Sequence, residues 1–354
     1  MTTRDDASRH AEGVKERTIH IAARIEDRMH RWRERRGRAR GLVPTVVAYR
    51  GYGSVDWVRI LARVVLMKPT ASDAAERAER VRGWRSFFSI PAAADREAIV
   101  TIGGETHTVP IDRGGVVDAR VPVRLSPGWH TATIRSTGSD AAAAEIFVVD
   151  PAERFGVISD VDDTIMVTAL PRPLLAAWNT FVLDEHARRP VTGMAVLFDR
   201  IRRQHPGAPV IYLSTGAWNV APTLRRFLGR NLYPAGPILL TDWGPTHDRL
   251  FRSGREHKRQ ELRRLATEFP EVRWLLFGDD GQHDEEIYGE FAREFPRNVA
   301  AVAIRQLTPG EAILAGGRAK AAERERESPA RWFYGPDGSA LFEQLSRAGV
   351  ISTR

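Results

Sequence analysis

Three carboxylates fall within four residues in the run Ser159-Asp160-Val161-Asp162-Asp163-Thr164, directly after the apolar stretch 155–159. Like charges crowded at the end of a buried strand repel one another unless a cation sits among them. Asp160 and Asp162 are two apart, so in extended backbone they project to the same side. One is then placed to attack an electrophile and the next to handle protons. Taken alone the run also fits a calcium site or a plain turn. A second acidic run, Gly278-Asp279-Asp280-Gly281-Gln282-His283-Asp284, follows another apolar stretch, 274–277. Its Gly278 allows backbone to approach closely. His283 brings a transition metal to mind, but the donors around it are hard oxygens that suit Mg2+, and His283 reads as an exposed loop side chain.

Two further pieces carry donors. Leu213-Ser214-Thr215-Gly216 ends an apolar stretch with a hydroxyl and backbone N–H groups able to hold phosphate oxygens, although such a run is often a plain loop. Ser253-Gly254-Arg255-Glu256-His257-Lys258 opens a helical stretch and brings a lysine to its first turns. Of the 53 basic side chains only Lys15, Lys68, Lys258 and Lys320 are lysines; the rest are arginines. Where arginine is the default, a retained lysine suggests a need for a compact point charge. A cation near a helix start also opposes the helix dipole and calls for a compensating anion.

The elements that must position these groups are legible as a change of rhythm. In residues 151–320, apolar runs at 155–159, 210–213, 237–240, 274–277 and 299–304 alternate with helical stretches at 193–204, 222–228 and 256–269. That alternation predicts an α/β domain on a doubly wound parallel sheet, in which ligands bind beyond the carboxyl ends of the strands. Residues 43–150 read instead as a small β-rich, sandwich-like domain with turn signals about every ten residues. It includes a hairpin closed by Gly103-Gly104 and a short helical interruption at 74–84. Residues 1–42 form a basic segment in which Val14, Thr18, Ile21, Ile25, Met29 and Trp32 make one helical stripe among many arginines. That stripe packs on the body or in a coiled coil, or lies on an anionic membrane. The tail 321–354 predicts a docking helix around Leu341, Phe342 and Leu345.

Composition sets the limits. The 354 residues are 42% hydrophobic with no cysteine, which suits a soluble globular protein and excludes disulfides, thiolate metal sites and cysteine nucleophiles. No apolar run of membrane-spanning length occurs, and the first residues lack a signal-like apolar core, so a cytoplasmic location is the expectation. The net charge of +8 is discounted because the arginine excess is uniform, and no nucleic-acid-binding motif accompanies it.

Taken in order, Asp-x-Asp-x-Thr, Ser, Lys and Gly-Asp-x4-Asp resemble the haloacid dehalogenase superfamily of aspartate-nucleophile phosphohydrolases over about residues 151–310. Tyr49-Arg50-Gly51-Tyr52-Gly53, with the runs 156–164, 254–258 and 278–288, more narrowly resembles the App1-type phosphatidate phosphatase family, back to about residue 44. The resemblance implies a Mg2+-dependent phosphoric monoester hydrolase acting on phosphatidate or a related phospholipid. It makes Asp160 the nucleophile that forms an aspartyl-phosphate, and Asp162 the general acid and base. It places Mg2+ on the Asp160 carboxylate, the Asp162 backbone carbonyl and Asp279. Ser214 and Lys258, with Thr215 and Gly216, hold the non-bridging oxygens; Asp284 orients Lys258 or reaches the metal through water. Thr164 bonds within the loop, Asp163 caps the turn or meets a metal-bound water, and Asp280 is not separable from Asp284. Residues 165–192, with Leu174, Leu175, Trp178, Phe181 and Val182, pack on the core or cap the site and receive an acyl chain. An open site of this kind, with residues 1–42 docking on anionic lipid, suits a peripheral membrane role. Nucleotide, sugar-phosphate or phosphoprotein substrates are the enzymatic alternatives. A phosphate-binding module without catalysis is the other, and the complete Asp160, Asp162, Lys258 and Asp279 set argues against it.

Overall fold

Runs of β-branched and aromatic residues broken by turn residues shape the first half of the chain. The fold is that of a computed structural model, which describes residues 32–69, 90–92, 97–167, 189–241, 254–281, 283–314 and 329–352. The predicted helical stretch 74–84 and insert 168–188 lie outside the described residues, as does the N-terminal stripe except Trp32, which is exposed on a helix over residues 32–39, α1.

Nine strands follow: β1 (Val43–Ala48), β2 (Gly51–Ser54), β3 (Trp57–Met67), β4 (Ile90–Pro91), β5 (Glu97–Ile102), β6 (Glu105–Pro110), β7 (Val116–Pro122), β8 (Gly128–Ser136) and β9 (Ala142–Val149). Hydrogen bonding joins them in one sheet, along the path β1-β3-β2-β9-β8-β5-β6 with β4 and β7 on β3, in place of two separate sheets. β6, at one end of that path, touches β7, which pairs with β3 near the other, so the sheet curls around its own core. The β5–β6 turn forms at Gly103 and Gly104, both with positive φ (59° and 82°), as the two-residue hairpin requires.

β3 explains how this sheet meets the second half. Val58, Ile60, Ala62 and Val64 enter the core inside the curled sheet, while Trp57 and Leu61 enter the core of the following domain. Both faces are buried, which is why the strand reads as a nearly continuous apolar run. Tyr52 and Trp57 pack on Phe269, with ring centroids 5.9 and 5.6 Å apart. Around them a partly buried ionic network crosses between the halves. Arg59 pairs with Asp118 (2.5 Å) and Glu268 (2.6 Å), Arg264 pairs with Asp118 (2.9 Å), and the Tyr52 hydroxyl donates to Glu268 (2.8 Å).

The second half is a six-stranded, wholly parallel sheet: β10 (Phe155–Asp160), β13 (Val210–Ala217), β14 (Ile238–Thr241), β15 (Arg273–Asp279), β16 (Val299–Arg305) and β17 (Trp332–Gly335). A small antiparallel pair, β11 (Met166–Val167) with β12 (Arg189–Pro190), brackets the insert. The order is β14-β13-β10-β15-β16-β17. The five predicted strands are all present; β17 adds a sixth from the charged tail. The helices are α2 (Met194–Gln204), α3 (Ala221–Arg230), α4 (Gly254–Glu268), α5 (Asp284–Glu294), α6 (Pro309–Leu314) and α7 (Gly338–Arg347). Phe277 of β15 packs on Phe198 of α2, whereas Trp274, three residues earlier on the strand, packs on Phe269 at the end of α4. Odd spacing along a strand means opposite faces, so both faces of the sheet are covered. The expected docking helix is α7, capped by the Asp337 side chain and burying Leu341 and Leu345.

The order reverses at β10: the chain runs outward to β13 and β14 on one side and returns to β15 and β16 on the other. The loops after β10 and β15 therefore diverge and leave a crevice at the carboxyl end of the sheet.

Candidate active site

Asp160 is the last residue of β10, and the strand does not continue to Asp162 as extended backbone would. The chain turns instead. Ile165 and Met166 N–H groups donate to the Val161 carbonyl, and Asp163 N–H donates to the Met166 carbonyl. Asp163 takes a left-handed conformation, φ 61°, which aspartate tolerates better than most residues. The turn sends the two carboxylates to different partners. Asp160 accepts from Thr164 Oγ1 at 3.0 Å and meets Lys258; Asp162 accepts from Ser214 Oγ at 3.2 Å.

Lys258, in the second turn of α4, is 6% exposed. Its Nζ lies 2.6 Å from Asp160 Oδ1 and 2.5 Å from Asp284 Oδ1. The anion that a cation near a helix start demands is thus supplied twice. Burial works against the ammonium, but the two carboxylates outweigh it and hold the lysine above its ordinary value. Burial pushes Asp160 well above the usual carboxylate range; Lys258 pulls it down, while Asp284 and Asp162 push it up.

The loop after β15 supplies the other wall. Asp279 Oδ1 accepts from Gly281 N–H at 2.6 Å, and Asp284 Oδ2 accepts from Asp279 N–H at 3.4 Å. A Cβ on Gly278 would lie 2.7 Å from Tyr288 and 2.8 Å from Asp284, so only glycine lets α5 bring Asp284 this close. Tyr288, buried, donates to the Phe277 carbonyl at 2.8 Å and braces that helix. Among the described residues, Asp160, Asp279 and Asp284 each bring a carboxylate oxygen within 4.8 Å of one another. The Asp162 carboxylate is not in that group. His283 precedes α5, partly exposed and outside it.

Two expectations sharpen. Asp280 separates from Asp284: it accepts from Leu307 N–H at 2.8 Å, tying down the end of β16, while Asp284 reaches Lys258. Ser214 lies within β13, not in a loop after it, at a register irregularity between Leu213 and Ala217. There its hydroxyl oxygen accepts from Gly216 N–H at 3.1 Å while donating to Asp162. Thr215 is exposed beside Gly254 at the start of α4. Arg305, which no motif marks, donates to the Asp163 carbonyl at 2.7 Å.

Residues 155–306 match the family described as phosphatidate phosphatase APP1, catalytic domain. The phosphatidate phosphatase APP1 of Saccharomyces cerevisiae is 28% identical over 153 residues, 42% of this chain and 25% of that protein. An uncharacterized protein of Schizosaccharomyces pombe is 25% identical over 179 residues, 49% of this chain and 29% of that protein. The chain thus spans less than a third of the length of either relative. Among solved structures, a carbohydrate acetylesterase from Xanthomonas citri aligns over 81% of this chain and 75% of its own, at 11% identity and a TM-score of 0.27, too low to bear on fold or function. The family match begins after Tyr49-Arg50-Gly51-Tyr52-Gly53, whose residues serve the junction between the halves: Tyr49 stacks on Trp218 and Tyr52 bonds to Glu268. The other motifs that resemble the App1 type lie within the matched segment, and through residues 155–306 the chain is similar to the catalytic domain of phosphatidate phosphatase APP1.

Proposed function

We propose that the protein is a Mg2+-dependent phosphoric monoester hydrolase of the haloacid dehalogenase type, with a doubly wound catalytic domain, acting on phosphatidate or a related phospholipid. The observation that carries this reading is the buried cluster in which Asp160, Asp279 and Asp284 bring carboxylate oxygens within 4.8 Å of one another, with Lys258 paired to Asp160 and Asp284. Three carboxylates gathered this closely repel one another, and their donors are all hard oxygens, so a divalent cation fits among them.

Asp160, Asp279 and Asp284, with the Asp162 backbone carbonyl, would hold Mg2+, which neutralises charge and acts as Lewis acid at the phosphoryl group. The Asp160 carboxylate attacks phosphorus; the bond to the ester oxygen breaks and an aspartyl-phosphate forms. Asp162 gives its proton to the departing alkoxide, then takes one from the water that attacks the aspartyl-phosphate, releasing inorganic phosphate and restoring Asp160. Ser214 and Lys258 hold the non-bridging oxygens, and the Gly216 N–H holds the Ser214 hydroxyl in place. Thr164 fixes one oxygen of Asp160, leaving the other to face Lys258.

No helix among the described residues is long and apolar enough to cross a membrane. A peripheral location on anionic lipid, assisted by the arginine-rich segment 1–42, goes with the phospholipid reading. Phosphate release from phosphatidate vesicles and from soluble phosphate esters, with Mg2+ and with EDTA, tests it. Mg2+-dependent release from vesicles is expected; release only from soluble esters moves the substrate class, and no release from either contradicts the hydrolase reading.

A further inference from the structure

Arg305 ends β16 and stands in register with Asp279 of β15. Its guanidinium is 6% exposed and uses three directions: Nη1 donates to the Asp163 carbonyl (2.7 Å), Nη2 to Glu311 Oε1 (2.7 Å) and Nε to the Pro336 carbonyl (3.4 Å). Its own carbonyl accepts from Asp280 N–H (3.0 Å), and Asp280 Oδ1 accepts from Leu307 N–H (2.8 Å). One residue therefore bonds both to the loop after β10, which follows Asp160 and carries Asp162, and to the loop after β15, which follows Asp279 and carries Asp280. The β10 and β16 strands are not neighbours, since β15 lies between them. The guanidinium thus makes a link across the crevice floor that sheet hydrogen bonds do not. Glu311 neutralises the buried charge and, through Oε2, accepts from Thr308 N–H, fixing the first turn of α6.

We propose that Arg305 is a positioning residue that sets the spacing between the two carboxylate-bearing loops, and through it the affinity of the site for a divalent cation. This rests on the cation reading above. The left-handed Asp163 is the point it grips: the carbonyl of that residue is turned out of the loop and toward β16. A planar fork with several donors meets three acceptors at once, which a lysine ammonium on a flexible stem reproduces only in part.

The test is calorimetric titration of the full chain with Mg2+ alone, beside melting curves in EDTA and steady-state kinetics. Supporting groups around metal ligands typically contribute about 10–100-fold to affinity or activity. Arg305→Gln is expected to weaken Mg2+ binding at least about tenfold and to lower kcat by a similar factor, with KM for the phosphoester little changed. Arg305→Lys is expected to recover part of both. Glu311→Gln, which loosens the guanidinium without removing it, is expected to weaken Mg2+ binding about threefold, below that range. Should Arg305→Gln fail to fold, Glu311→Gln decides. Wild-type Mg2+ affinity in whichever of these variants folds overturns the inference while leaving the cation reading intact. A wild-type chain that binds no Mg2+ overturns the cation reading, and this inference with it.

Discussion

Two clusters of charge, one partly buried and one buried, lie along the same helix, α4, and they are built to opposite rules. At its far end, Arg59 and Arg264 face Asp118 and Glu268, each charge meeting an opposite one at hydrogen-bonding distance across the junction of the two halves. Near its start, among the described residues, Lys258 pairs with Asp160 and Asp284, and Asp279 brings a third carboxylate within 4.8 Å of theirs. Buried ions are tolerated when paired, and removing one partner is what destabilises. The first cluster obeys that rule and holds the halves together. The second departs from it, as sites do that are completed by something other than the chain.

The largest expected effect follows from that crowding. Asp160→Asn should abolish phosphate release and leave the melting temperature in EDTA unchanged or higher, because it removes a repelling carboxylate. A destabilised variant would mean that the cluster is structural like the other. Next, Asp162→Asn and Lys258→Arg should each lose about 10²-fold in turnover. The arginine keeps the charge, but its fork cannot sit between Asp160 and Asp284 as the compact ammonium does. Lys68→Arg, at an exposed position just after β3, should match wild type in the same assay.

At the balanced cluster the expected signs reverse. Glu268→Ala leaves Arg59 with Asp118 only, and should cost roughly 2 kcal/mol in denaturant unfolding, below the full loss of a buried pair, with turnover per folded molecule nearly unchanged. A drop in turnover without loss of stability would merge the two clusters into one device. The smallest effect concerns Glu261, beside Arg264, whose carboxyl burial pushes up to about 7. A raised carboxyl favours the protonated form in the folded state, so its contribution is present at acidic pH and lost as pH rises through about 7. Melting curves of Glu261→Gln should therefore match wild type near pH 5 and exceed it at pH 8; equal curves at both pH values would show that Glu261 stays charged.

What was legible in the sequence, and what was not, follows from where each signal is written. The five predicted strands, with the helices α2, α3 and α4, stand out because strands buried on both faces must be apolar throughout. β17 does not: it is a four-residue strand in a charged tail, and only its non-local pairing with β16 makes it one. In the nine-stranded sheet the hairpin at Gly103-Gly104 was readable and the short β2 and β4 were not, and turn spacing does not say whether strands close into one sheet or two. At the site, Asp160, Lys258 and Asp284 come together as the motif order implied. The different partners of Asp162 and Asp160, and of Asp280 and Asp284, are set by a left-handed residue and by a helix start, neither of which spacing encodes. Arg305 was invisible for the reason that made Lys258 visible, since in this chain arginine is the ordinary basic residue.

The account turns on Asp160 becoming covalently phosphorylated. Acid-quenching the Mg2+-loaded chain during turnover of phosphatidate, then mapping the phosphoryl group by peptide mass, measures this directly. A hydroxylamine-labile phosphoryl group on the peptide carrying Asp160, lost in Asp160→Asn together with phosphate release, is the predicted result. A phosphoryl group on another residue, or release by Asp160→Asn at the wild-type rate, would contradict it.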